Sequence, residues 1–262
     1  MKSNDIYDII IQAGQSNAEG MGRGDVSNEY VPNQNVLYLN VEKKVEHKPE
    51  AVVVTYYEKP FQISVAQERQ VAGIPIGDFS LSFARKYVEN GLLENNRKLL
   101  IIRAGIGGTG FKKGNWGVKD QLYLKMREMV DYALSLNKGN RVVGFLWHQG
   151  EHDAFEKNAP EIFEKQLFEM FASIRENYGD MPIIAGDFVS EWKQKNIEIC
   201  EPIVDKIKAV LKSLGKTAFV ETADLLSNNQ KTGNNDDIHF CRESLYVLGE
   251  RYFNKYLAIK NI

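Results

Sequence analysis

The sequence predicts an α/β fold, a doubly wound sandwich with a mostly parallel sheet between two layers of helix. Two observations carry this. Short β-branched runs bounded by turn residues alternate along the chain with longer stretches in which apolar residues recur every three or four positions. Most of the short runs are also near-continuously apolar, as strands covered on both faces by helices must be.

Taken in order, the strand candidates are Ile6–Gln12, Val36–Asn40, Lys98–Arg103, Arg141–His148, Pro182–Asp187 and Thr217–Glu221. A helix is expected after Asp78, a plausible N-cap, ending at Asn90-Gly91. Further helical stripes read Leu122/Met126/Met129/Ala133, Phe163/Leu167/Met170/Ile174/Tyr178, Ile203/Ile207/Val210/Leu214 and Leu245/Leu248/Tyr252/Tyr256. The stretch 41–70 fits this alternation poorly and reads as an inserted hairpin or long loop. With no internal repeat or Pro/Gly/Ser-rich linker, residues 1–262 are expected to form one domain.

Composition excludes several classes of function. The 33 Lys+Arg nearly balance 35 Asp+Glu, a net charge of −2, so no overall basic field exists to hold nucleic acid or an acidic membrane surface. No apolar run reaches the roughly 18 residues of a membrane span. The start, Met1-Lys2-Ser3-Asn4-Asp5, lacks the apolar stretch of a secretory signal, so the expectation is a cytoplasmic protein, or an exported one if a signal peptide has been removed. Cys200 and Cys241 lack the spacing of a metal or redox motif and are expected to be reduced core thiols.

In doubly wound sheets the ligand lies beyond the carboxyl ends of the strands, so those ends carry the functional signal. After the first strand comes Gly14-Gln15-Ser16-Asn17-Ala18-Glu19-Gly20. A serine on a tight strand-to-helix turn exposes its Oγ beside free backbone N–H groups, which suits a nucleophile, although such a serine can equally cap the helix. After the third strand, Gly105, Gly107 and Gly110 spell the dinucleotide pattern G-x-G-x-x-G. That pattern needs a helix to begin within the glycines, and Phe111–Gly117 reads as loop; these glycines suit close approach to a small substrate instead.

After the fourth strand comes Trp147-His148-Gln149-Gly150-Glu151-His152. His148, Glu151 and His152 match the zinc-peptidase pattern H-x-x-E-H, but a strand and Gly150 put them on a turn, where the pattern requires one helix face. A polar turn with mutually satisfied side chains, or an oxyanion donor at Gln149, are the other readings. Near the C-terminus, Asp236 and His239 stand three apart, close enough for the carboxylate to accept from Nδ1–H and orient the imidazole, as in an acyl-transfer triad; a solvated loop is the alternative.

Together and in this order, Gly14-Gln15-Ser16-Asn17-Ala18-x-Gly20, Gly107-Gly108-Thr109, Trp147-His148-Gln149-Gly150-Glu151 and Asp236-x-x-His239 resemble the SGNH-type (GDSL-like) hydrolases. More narrowly they resemble the sialate O-acetylesterase and acetylxylan esterase branch, carbohydrate esterase family six, over nearly the whole chain. The resemblance implies a flavodoxin-like sandwich around a five-stranded sheet, no cofactor and no metal. It implies a serine esterase acting on acetyl esters of mono-, oligo- or polysaccharides. Ser16 would be the nucleophile, His239 the general base and Asp236 its orienting carboxylate. The oxyanion hole would be the N–H of Ser16, an N–H at Gly107 or Gly108, and the amide of Gln149. Gln15, Asn17 and Glu151 would support the site; Glu151 is the competing candidate for the orienting carboxylate. His152 departs from the branch, which usually carries serine there. Trp116, in the glycine loop, is the candidate sugar platform. A binding module that kept the fold and lost catalysis, and a zinc peptidase through His148, Glu151 and His152, are the alternatives.

Overall fold

The computed structural model describes residues 5–261. β1 (Ile6–Gly14) enters the centre of the main sheet and is followed at once by a single helical turn, α1 (Ser16–Glu19). β2 (Val36–Asn40) comes next, then a hairpin of β3 (Lys43–His47) and β4 (Val52–Tyr56), an edge strand β5 (Gln62–Val65), and a second hairpin of β6 (Arg69–Val71) and β7 (Ile74–Ile76). From there strands and helices alternate: α2 (Phe79–Glu89), β8 (Arg97–Arg103), α3 (Gln121–Leu136), β9 (Arg141–His148), α4 (Glu151–Phe155), α5 (Pro160–Tyr178) and β10 (Ile183–Gly186). The chain closes with α6 (Ser190–Lys195), α7 (Ile197–Leu214), β11 (Thr217–Val220), α8 (Asn228–Thr232) and α9 (Arg242–Ile259).

The main sheet runs β11-β10-β9-β1-β8-β2-β5. Six of its strands are parallel, and β5 pairs antiparallel with β2. All six apolar runs read from the sequence are these six parallel strands. The expected count of five is therefore short by two, β5 among them. Pleating divides the core: Ile9, Ile11 and Ala13 of β1 pack with Met126, Phe163 and Ile203 of α3, α5 and α7, while Ile10 faces Phe79, Phe83, Leu245 and Tyr252 of α2 and α9. Asp78 caps α2 as its sequence suggests, accepting from the Ser80 N–H at 2.9 Å. Both cysteines are free and buried.

The stretch 41–70 contains the β3–β4 hairpin, the edge strand β5 and the start of the second hairpin, which runs on to Ile76. Both hairpins reach the carboxyl ends of the central strands, because His47, Arg69, Val71 and Ile76 line a cavity there. No helix among the described residues is long and apolar enough to cross a membrane.

Candidate active site

The site begins where β1 and β9 end side by side. Gly14 pairs with His148 across the sheet, and the Gln15 N–H donates to the His148 carbonyl at 3.0 Å. The backbones are so close that a Cβ on Gly14, whose φ is +130°, would stand 2.1 Å from that carbonyl oxygen. Only glycine fits there. This close approach turns the chain sharply and puts Ser16 first in α1. Gln15, the residue at the cap position, makes no capping bond with its side chain, and Ser16 Oγ has no hydrogen-bond partner among the described residues. The capping alternative for Ser16 is therefore not what the structure shows. The Ser16 N–H heads the helical turn and has no acceptor within it.

Ser16 lines a cavity of about 530 Å³ together with Gln15, Gly107, Gly108, Glu151 and His239. Gly107 packs against the serine: a Cβ there would lie 3.4 Å from Ser16 Cβ. The sequence-distant Asp236-x-x-His239 loop is brought in by α8. Asn228 Nδ2 donates to Asp236 Oδ2 at 2.9 Å, and the Asn228 N–H donates to the His239 carbonyl at 2.8 Å. Asp236 Oδ1 lies 2.8 Å from His239 Nδ1, which fixes the proton on Nδ1 and leaves Nε2 free. Burial works against ionisation of Asp236, but the bonds from His239 and Asn228 outweigh it and hold its carboxyl below the usual range. No bond closes Ser16 Oγ to His239 Nε2 among the described residues. The two face one cavity in an open arrangement, as is common before substrate binds.

Asn17 ties the pieces together. Its Nδ2 donates to Glu151 Oε1 at 2.9 Å and to the Ile238 carbonyl at 3.1 Å, and its Oδ1 accepts from the Phe240 N–H at 3.1 Å. The nucleophile turn, α4 and the histidine loop are thus joined by one side chain. Gln15 adds a second tie, its Oε1 accepting from the His152 N–H at 3.0 Å. Glu151 is fully buried, and desolvation pushes it up to about 6 despite the bond from Asn17. It bonds to neither Asp236 nor His239; Asp236 alone holds the imidazole. His148, behind it, is pushed down to about 3 by burial and shares its Nδ1 with Tyr252 at 3.0 Å.

Two expectations are corrected, and the choice left open between Gly107 and Gly108 is narrowed. Gln149 Nε2 donates to Asp153 Oδ2 at 2.6 Å and to the Thr109 carbonyl at 3.4 Å, and the residue is not on the cavity wall, so its amide is already engaged away from any oxyanion. Its work is to join the glycine loop to α4, since Asp153 also accepts from the N–H groups of Phe111 and Lys112. Trp116 is wholly buried, donates from Nε1 to Thr109 Oγ1 at 2.9 Å and packs edge-on against Trp147, which leaves no face for a sugar. The Gly107 N–H is held by Glu19 Oε2 at 2.8 Å, and Glu19 in turn pairs with Arg69 at 3.2 Å. Among the described residues the Gly108 N–H has no acceptor, which leaves it the open amide of the glycine pair.

Sequence reasoning missed Glu19, Asn228 and the hairpin residues His47 and Arg69, since none has a motif of its own. The zinc pattern does not assemble. His148 Nε2 points at Glu151, 3.7 Å away, inside the protein, while His152 lines the open cavity, and no metal-holding group of three is found among the described residues.

A strand-end serine, an Asp–His pair and a glycine turn meet around one cavity, an arrangement suited to acyl transfer. The family described as carbohydrate esterase, sialic acid-specific acetylesterase, matches residues 6–258, and the chain belongs to it. Among solved structures it is similar to NanS at 19% identity, with 98% of each chain covered and a TM-score of 0.76. It is also similar to a protein from Arabidopsis thaliana at 19% identity, covering 96% of this chain and 98% of that one with a TM-score of 0.70. A third is a carbohydrate acetylesterase from Xanthomonas citri at 17% identity, with 97% and 57% covered and a TM-score of 0.67. No curated protein sequence matches the chain. The substrates of the family are acetylated carbohydrates, and the chain is a carbohydrate O-acetylesterase.

Proposed function

We propose that Ser16 is the nucleophile, His239 the proton carrier and Asp236 its orienting carboxylate in a two-step hydrolysis of sugar acetates. The observation that carries this is the convergence of Ser16, His239 and the Gly107-Gly108 turn on one cavity, with Asp236 bonded to the far nitrogen of His239. In the first step Ser16 Oγ forms a bond to the acetyl carbonyl carbon as His239 Nε2 takes the hydroxyl proton. The tetrahedral intermediate then breaks its bond to the sugar oxygen, which leaves with the proton from His239. In the second step water, deprotonated by His239, attacks the acetyl-serine, and acetate leaves while the proton returns to Ser16.

Each step builds negative charge on the carbonyl oxygen. That charge is assigned to the N–H groups of Ser16 and Gly108, since the Gly107 N–H is held by Glu19. A cavity of about 530 Å³ falls in the range of small-ligand pockets and favours a monosaccharide, or the end of a longer chain, as the unit admitted. The test is acetate release from a panel of acetylated mono-, oligo- and polysaccharides by the wild-type protein and Ser16→Ala. Release by the wild type only is expected. Equal release by both proteins, or none from any sugar, overturns the reading.

A further inference from the structure

Phe155 is 65% exposed, more than any other aromatic ring among the described residues, and it lines the catalytic cavity. A scattered surface phenylalanine needs no explanation, but one on the wall of a reaction cavity places costly apolar surface where a ligand would cover it. It closes α4, four residues after Glu151 and three after His152, so helical spacing sets all three on the cavity side. The ring is backed by the His152 imidazole, with centroids 6.5 Å apart and planes inclined by 29°. Met21, Val71, Ile76 and Ile238 make other parts of the wall apolar, while the ester-cleaving groups supply its polar part.

A pyranose offers matching surfaces: hydroxyls at its edge and a run of C–H bonds on one face. We propose that Phe155, backed by His152, is the platform on which the C–H face of the substrate's sugar ring stacks. The proposal rests on the carbohydrate-esterase reading above and adds the residue that separates a sugar ester from a simple one. The positive C–H edge meets the negative face of the ring, and the contact removes apolar area of both from water. Because the side chain projects outward, its removal leaves no cavity in the core.

The experiment compares wild type, Phe155→Ala and Phe155→Trp on a monoacetylated methyl hexoside and on ethyl acetate, which has no ring. For Phe155→Ala the ratio of kcat/KM on the sugar ester to that on ethyl acetate should fall about tenfold, carried by KM, and Phe155→Trp should restore it. Binding of the deacetylated methyl hexoside, followed by saturation-transfer NMR, should weaken in Phe155→Ala alone. An unchanged ratio and unchanged sugar binding overturn the platform, as does a loss that falls wholly on kcat for both esters. A wild-type protein that binds the hexoside through Phe155 but cleaves neither ester overturns the catalytic reading while leaving the platform standing.

Discussion

Asp236 and Glu151 are both carboxylates near His239, and only Asp236 touches it. Asp236→Asn should therefore lower kcat on the order of ten-thousandfold by losing the orientation of the imidazole. Glu151→Gln should cost less than tenfold, because a glutamine oxygen can still accept from Asn17. The reverse order in steady-state kinetics would make Glu151 the orienting residue. Gln149→Ala should also cost less than tenfold in kcat, since the amide already serves Asp153; a loss of a hundredfold or more would put it in the oxyanion hole after all. At this scale the sequence showed what lies close in the chain. Ser16 on its turn and Asp236 three residues from His239 were legible. Trp116 misled because residue type says nothing of burial, and Phe155 escaped because the helix that aims it is only five residues long. The engagement of Gln149 by Asp153 is a tertiary contact with no local signature.

Among the elements, the apolar runs identified all six parallel strands, because burial on both faces leaves a continuous apolar signal. β5 left none: Gln62–Val65 is a half-exposed edge strand of four residues, and its role depends on where β2 happens to lie. Asp78 and the glycine after Asn90 marked α2 correctly through local capping chemistry. The packing of α2 on α9 was not legible, although it depends on a single glycine. A Cβ on Gly249 would stand 1.9 Å from the Phe79 carbonyl oxygen and 2.1 Å from Ser82 Oγ. Gly249→Ala should force the helices apart and cost about 2 to 4 kcal/mol, lowering Tm by roughly 5 to 10 °C. An unchanged Tm in a thermal melt would mean that the pair slides without cost.

For the molecule as a whole, the buried His148–Glu151 pair shapes the pH dependence of stability with opposing signs. His148 is lowered from 6.5 to about 3, so its contribution is fully present above 6.5 and is lost as pH falls toward 3. Glu151 is raised from 4.5 to about 6, so its contribution is fully present below 4.5 and is lost as pH rises through 6. Between about 6 and 4.5 the two slopes offset one another, and the wild-type urea midpoint should change little. In Glu151→Gln the offset is gone. Stability should then fall by about 1.4 kcal/mol per pH unit over that window, starting from a neutral-pH value about 1 to 2 kcal/mol above wild type. Parallel profiles for the two proteins would show that the pair does not titrate in this way. Whether one serine at the end of β1 carries the acetyl group can be read by mass spectrometry after treatment with a serine-reactive fluorophosphonate. A single adduct is expected, on the peptide containing Ser16 and formed in step with loss of acetate release; an adduct on another serine, or inactivation without any adduct, would rule Ser16 out as the nucleophile.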